Sequence, residues 1–304
     1  MLAVQPQTAR TAVPDADAEP IVAVDDAGFR YPGSAADAVT GVTLRVVPGE
    51  LVGIVGQNGS GKTTLTKLLN GLLRPTSGRV VVDGKDTAQH TVQQMASSIG
   101  YVFQNPGHQI FARTVRAELA FGPRNLGVPP DEIERRVTEV AGFFGLTEHL
   151  ETHPYRLSFP LRKATGIASV VTMRPKVLLL DEPTTGQDGR TVETIKALVR
   201  RLHADGVTVV IVSHDMPLLA DVVDRVVVMR DSRVLTDASP AAVFGDRELM
   251  RSTNLHAPQV TAIAERTTVP LGLPIALTSQ GLVSQVASLV RAGAPDRIAQ
   301  EEPR

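Results

Sequence analysis

The nine residues Gly56-Gln57-Asn58-Gly59-Ser60-Gly61-Lys62-Thr63-Thr64 fit the spacing G-x-x-x-x-G-K-[ST] and carry the strongest chemical signal in the chain. Glycines let a backbone wrap around phosphate oxygens so that successive N–H groups point inward, at the positive end of a following helix. Lys62 adds a full positive charge, and Thr63 offers its hydroxyl to a magnesium ion bridging the β- and γ-phosphates. The stretch reads as the triphosphate cradle of a nucleotide hydrolase. Without its surroundings it would also fit a glycine-rich turn.

A second group supplies acid. The run Val177-Leu178-Leu179-Leu180 ends in Asp181-Glu182. Asp181 suits a magnesium shell, and Glu182 suits the water that attacks a γ-phosphate, as general base or as the group that positions it. Side chains alternate across a strand, so the two carboxylates are expected to point different ways. Gln104 follows another strand-like run, where it either reaches magnesium and the attacking water or is a solvated turn residue. Tyr31 either stacks on an adenine, an interaction worth ~1 kcal/mol, or packs half-buried at a strand end. His214 follows a further strand. By spacing alone a lone histidine reads more readily as structural or solvent-facing.

Elements of the right kind flank these residues. Leu51-Val52-Gly53-Ile54-Val55 is apolar and bounded by Pro48-Gly49, as expected of a buried parallel strand entering the loop. Leu65, Leu68, Leu69 and Leu72 then repeat at helical spacing, which predicts a helix running until Pro75. This strand, loop and helix order favours the phosphate cradle over the empty turn. Further strands are predicted at Ile21–Val24, Val42–Val46, Ile99–Gln104 and Val207–Val212, with a strand and tight turn over Arg79–Gly84 and a hairpin over Arg225–Met229 and Ser232–Leu235. Strand signals fade between about 113 and 172. There Ile133, Val137, Val140, Ala141 and Phe144 repeat at helical spacing, so an inserted helical subdomain is expected. Weaker helical stretches continue from Ser239, including Gly281–Val290, and show no catalytic pattern.

The 304 residues can bury a large core. Lys and Arg (31) nearly balance Asp and Glu (32), so no strong field holds nucleic acid or an anionic membrane. With no cysteine there is no disulfide, thiolate zinc site or cysteine nucleophile, which fits a cytoplasmic protein. No apolar run reaches membrane-spanning length, and Met1–Gln7 lacks a secretory layout. Service to a membrane process would require docking onto other subunits.

Tyr31, the phosphate loop, Gln104, Leu157-Ser158, Val177–Glu182, Asp188 and His214 fall in the order of an ATP-binding-cassette (ABC) ATPase, which the chain resembles over about residues 21–238. Within that group it is most similar to the ATPase (A) component of energy-coupling-factor (ECF) importers of vitamins and metal ions. The similarity rests on Gln104-Asn105-Pro106 with Gln109-Ile110-Phe111, Ala120–Gly127, His153–Phe159, Asp181–Asp188 and Ala257-Pro258-Gln259-Val260-Thr261. It implies an α/β fold: a P-loop RecA-like core, an antiparallel β subdomain, an inserted α-helical subdomain over about 105–172 and a small C-terminal helical extension over 239–294. Flexible tails are expected at 1–20 and 295–304.

By the same resemblance two ATPase subunits close head to tail on two ATP molecules with Mg2+. Tyr31 would stack on adenine and Gln104 would sense the γ-phosphate. His214 would touch that phosphate and help orient Glu182 and the water, and Asp188 would cross the dimer interface. The helical subdomain would grip a transmembrane T component, and a separate S component would choose the substrate. The subunit would sit peripherally on the cytoplasmic face of the cell membrane.

The signature segment departs from the family pattern. Where that pattern resembles Leu-Ser-Gly-Gly-Gln or Leu-Ser-Phe-Gly-Gln, this chain reads Leu157-Ser158-Phe159-Pro160-Leu161. Pro160 lacks an N–H, and the side chain of Leu161 cannot hydrogen-bond. Proline is tolerated near a helix start, so the fold should survive. Loss of one donor to transition-state charge costs about 100- to 1,000-fold in rate. A heterodimer with a second, intact ATPase is therefore expected, in preference to a homodimer. The alternatives are an ATP-binding regulatory subunit with little turnover, the ATPase of another ABC importer class, or a non-transport ABC ATPase. The absence of a long coiled-coil insertion or a second cassette, together with near-neutral charge, disfavours the last.

Overall fold

Three of the apolar runs, Leu51–Gly56, Val177–Asp181 and Thr208–Val212, are buried at every residue, as strands covered on both faces must be. The structure is a computed structural model that describes residues 18–291. The expected tails at 1–20 and 295–304 lie outside the described residues, apart from residues 18–20. In chain order the elements are β1 Val22–Phe29, β2 Val39–Val46, β3 Leu51–Gly56, α1 Lys62–Leu69, β4 Ser77–Val82, β5 Lys85–Asp86, α2 Val92–Met95 and β6 Ile99–Val102. Helices α3 Val115–Asn125, α4 Pro130–Phe143 and α5 Phe159–Val171 follow, then β7 Val177–Asp181, α6 Gly189–Ala204, β8 Thr208–Val212 and α7 Met216–Val222. The hairpin β9 Arg225–Arg230 and β10 Arg233–Ala238 leads to α8 Pro240–Gly245, α9 Arg247–Ser252, α10 Gln259–Thr267 and α11 Ser279–Arg291.

The larger sheet has the order β10-β9-β3-β8-β7-β6, with β9, β3, β8, β7 and β6 parallel and β10 antiparallel at the edge. The smaller sheet, β2-β1-β4-β5, is antiparallel. The period-2 alternation of strand side chains divides the interior into two cores. Val52, Ile54, Val177, Leu179, Val210 and Val212 face α1 and the smaller sheet. Leu51, Val55, Leu178, Leu180, Val209 and Ile211 face the helices on the other side. In α4 the spacing seen in the sequence becomes a buried stripe of Ile133, Val137, Val140 and Ala141. Each fully buried aliphatic side chain contributes about 1.5–3 kcal/mol.

One helix is shorter than its leucine spacing predicts. α1 stops at Leu69, with Asn70 as its C-cap and Gly71 at φ +75°, a left-handed residue that ends the helix before Leu72. The Asn70 side-chain oxygen then accepts from the Leu72 N–H at 3.0 Å, and Leu72 is left exposed. A 3.6-residue spacing cannot register this local signal.

Because β3, β6, β7 and β8 are parallel, their carboxyl ends share one edge of the sheet. That edge carries the phosphate loop, Gln104, Asp181-Glu182 and His214, residues scattered over 159 positions of sequence, 56 to 214. Ligands collect at this edge in open α/β sheets.

Candidate nucleotide site

The loop between β3 and α1 is possible only with glycine at two positions. Gly56 has φ +151°, and a Cβ there would lie 2.3 Å from the Met229 carbonyl oxygen. Gly61, the N-cap of α1, has φ +99°, and its Cβ would meet the Ala38 carbonyl oxygen at 2.5 Å. The first turn of α1 has no acidic side chain, so the positive end of its dipole stays uncompensated. Lys62 is buried, and its ammonium donates to the carbonyls of Gly56 at 2.7 Å and Gln57 at 2.8 Å. Burial lowers its pKa, while the charges of Glu182 and Asp181 oppose the shift. The Ser60 hydroxyl is buried without a hydrogen-bond partner. The cation, the free helix end and the orphaned hydroxyl together fit a polyanion.

Asp181 is the last residue of β7 and keeps the strand alternation, lying on the side of Val177 and Leu179. Its carboxylate accepts from the Tyr101 hydroxyl at 2.8 Å. Burial raises the Asp181 pKa, and the Tyr101 hydrogen bond opposes that rise. The Tyr101 phenol is itself pushed up, chiefly by burial and then by the Asp181 charge. Glu182 breaks the alternation. Its φ is +48°, a left-handed conformation uncommon for a residue with a side chain. Both carboxylates therefore line one cleft, with different partners, and the expectation that they diverge across the sheet is corrected. One Glu182 oxygen lies 2.8 Å from His214 Nδ1, and the other accepts from the Ser213 hydroxyl at 3.3 Å and the His214 N–H at 3.4 Å. The His214 side chain is otherwise 68% exposed to the cleft and solvent.

The cleft, about 810 Å³, is lined by Tyr31, Gln104, Asp181, Glu182, His214 and all of the phosphate loop except Ser60, which lies beneath it. Tyr31 is held by a 3.2 Å hydrogen bond between its hydroxyl and that of Thr64, and by an edge-on contact with Phe29 at 4.8 Å between centroids. Tyr31 is 40% exposed where it lines the cleft. For a magnesium ion the available donors are the Thr63 hydroxyl, the Gln104 amide oxygen and the Asp181 carboxylate. Hard oxygen donors with a single carboxylate fit an ion that keeps water and shares phosphate oxygens.

Two predicted features lie apart from this cleft. The segment Leu157–Leu161 forms the start of α5, with Ser158 as N-cap, Pro160 in the first turn, Phe159 exposed and Leu161 packed against the core. As expected, the helix tolerates the proline. Asp188 caps α6, accepting from the Thr191 N–H at 2.8 Å, and hydrogen bonding from Thr191 lowers its pKa. Other residues reach the site without a clear sequence signal. Gln57 Nε2 donates to the Thr253 carbonyl at 2.9 Å, and Asn254 and Leu255 line the cleft mouth, so the C-terminal extension contributes to it. Tyr101 could have been singled out as a hydroxyl inside an apolar strand that needs a buried partner.

A phosphate loop at the end of a central parallel strand, facing an Asp-Glu pair at the end of another, defines a P-loop nucleotide hydrolase. Comparison with known proteins narrows this class. A family profile described as ABC transporter matches residues 39–185. The chain is 40% identical over 247 residues to the energy-coupling factor transporter ATP-binding protein EcfA of Methanocaldococcus jannaschii, covering 81% of this chain and 88% of that protein. It is 36% identical over 248 residues to the protein of the same description from Methanothermobacter thermautotrophicus, covering 81% and 79%. Among solved structures, cbiO1 from Clostridium perfringens, described as part of the ABC transporter complex cbiONQ, matches with a TM-score of 0.68 at 34% identity, covering 81% of this chain and 99% of that one. An ATP-binding cassette solved as a dimer in a post-hydrolysis state with ADP and Pi matches with a TM-score of 0.66 at 26% identity, covering 72% and 98%. The chain belongs to the ABC transporter ATP-binding family and is an ATPase of that family. Among the described residues no helix is long and apolar enough to cross a membrane.

Proposed function

We propose that this chain is the ATP-binding and hydrolysing subunit of an ECF-type importer, working in a heterodimer with a second ATPase. The observation that carries this reading is an asymmetry within the chain. The cleft assembles cradle, lysine and both carboxylates, whereas the start of α5 offers Pro160 and Leu161 where a partner's nucleotide would need donors. In this reading Tyr31 stacks on adenine, and Gly56–Thr64 hold the phosphates. Thr63, Asp181 and Gln104 would hold Mg2+, largely through water, and the ion would supply neutralisation of phosphate charge. Glu182 positions the attacking water or takes its proton, with His214 as its hydrogen-bonded neighbour 2.8 Å away. Asp188 and Leu157–Leu161 face the second ATPase.

The names of the relatives support the importer class, and with it a transmembrane T component, a substrate-binding S component and a peripheral place on the cytoplasmic face of the membrane. The departure at Pro160 and Leu161 also favours a second reading, a subunit that binds ATP with little turnover. Affinity purification from the native host tests the proposal. The expected result is recovery of a second ATPase and a small, very hydrophobic membrane subunit. Recovery of the chain with bound nucleic acid, or only with copies of itself, contradicts it.

A further inference from the structure

Lys163 lies in the second turn of α5 and is only 2% exposed. Its ammonium donates to the main-chain carbonyls of Glu182 at 2.6 Å and Thr185 at 3.3 Å. A buried ammonium is costly, and breaking its contacts would leave an uncompensated charge, so an ammonium spent on two carbonyls fixes that backbone firmly. The turn it fixes is the unusual one. Glu182 holds φ +48°, with its N–H donating to the Val212 carbonyl of β8 at 2.8 Å and its own carbonyl taken by Lys163. The residue is thus clamped on one side by the central sheet and on the other by α5, and its carboxylate is aimed at Ser213 and His214 as a result. Phe159, four residues earlier on the same face of α5, reinforces the clamp. Gly186 sits so close beneath its ring that a Cβ there would lie 3.1 Å from Phe159 Cε1.

We infer that Lys163 is a positioning residue that ties α5 to the left-handed turn at Glu182, so that the aim of this carboxylate depends on where the first turn of α5 sits. The inference rests on the reading of Glu182 given above. The segment Leu157–Leu161, proposed to meet the partner's nucleotide, leads through the N-cap Ser158 into that same first turn. The chain's own carboxylate and its contribution to the opposite site are therefore mechanically linked through one side chain. The charged groups that face the ammonium are Glu182 and Asp181, which oppose the fall in its pKa to about 8 that burial causes.

The test compares wild type, Glu182→Gln, Lys163→Met and Lys163→Arg in the purified two-ATPase complex, with kcat and the KM for ATP measured for each. Misplacement of a reacting group by an ångström costs about 100-fold. Lys163→Met is expected to lower kcat by about 10- to 100-fold with KM within about threefold of wild type, and Lys163→Arg, which keeps the cation and its donors, to recover part of the loss. A kcat for Lys163→Met within about threefold of wild type overturns the inference. So does a loss of kcat and ATP binding in parallel that arginine does not repair, since a merely structural lysine would act that way. If the methionine variant does not fold, Lys163→Gln carries the same comparison, and an unchanged kcat there is equally fatal. Hydrolysis that survives Glu182→Gln overturns the underlying reading and the inference with it, whereas hydrolysis lost there but intact in Lys163→Met overturns the inference alone.

Discussion

Replacing Pro160 by glycine and Leu161 by glutamine in one variant would return to the first turn of α5 an N–H and a side-chain amide that the chain lacks. The structure can accept both changes. Pro160 stands in the first turn, where glycine leaves the helix start intact, and Leu161 is half-buried beside a cavity of about 60 Å³ shared with Gln187. Both amide atoms of Gln187 are buried without partners, so a glutamine at 161 has a hydrogen-bonding group nearby. The loss of leucine packing costs on the order of 1–2 kcal/mol. A donor aimed at transition-state charge is worth about 100- to 1,000-fold at the site it serves. In a heterodimer that site is the slow one, and the fast site, built on this chain's own loop and Glu182, already sets the rate. Bringing the slow site to equal speed then raises steady-state turnover by no more than about twofold. A pair of identical chains has two impaired sites, and its turnover would rise by the full ~100- to 1,000-fold. Steady-state ATPase at saturating ATP, measured on the complex purified with its native partner, separates the two. A rise above about tenfold in that complex refutes the division of labour proposed for the sites.

Tyr31 and Lys163 give two further tests. Tyr31→Phe keeps the ring and loses only the 3.2 Å contact to Thr64, so ATP affinity should stay within about twofold, whereas Tyr31→Ala should weaken it about 2- to 10-fold, as measured by titration with ATP. For Lys163 the pH dependence has a definite sign. Its pKa falls from 10.5 to about 8 through burial, so between those values the unfolded chain binds more protons than the folded one, and stability rises with pH. The rise is on the order of 3 kcal/mol across the window. Denaturant unfolding at about pH 7.5 and 10 should show wild type gaining on Lys163→Met as pH increases, and a constant gap would contradict the burial argument.

Much of the site was legible because its residues sit at the ends of apolar runs. Val177–Leu180 and Thr208–Val212 announce buried strands, parallel pairing gathers their carboxyl ends, and the loop spacing names the chemistry. What the sequence hides are contacts between distant positions and local breaks in periodicity. Tyr101 meets Asp181 across 80 residues, and Gln57 meets Thr253 across 196. The alternation rule fails at Glu182 because its φ of +48° ends the extended strand, and the groups hydrogen-bonded to that turn, the Val212 carbonyl and the Lys163 ammonium, lie 30 and 19 residues away in sequence. The leucine spacing of α1 overran Leu69 because Asn70-Gly71 supplies a C-cap that hydrophobic periodicity does not count. The departure at Pro160 and Leu161, by contrast, was plain in the sequence, and α5 forms over Phe159–Val171 with Pro160 in its first turn.

The central claim is that the productive site is the one built on this chain's own phosphate loop and Glu182. The direct measurement is ATP turnover by the purified two-ATPase complex in two variants, Glu182→Gln in this chain and the equivalent glutamate changed to glutamine in its partner. Loss of nearly all turnover in the first and retention of most of it in the second is the predicted result. Near wild-type turnover with Glu182→Gln, or collapse only when the partner is changed, would contradict the account.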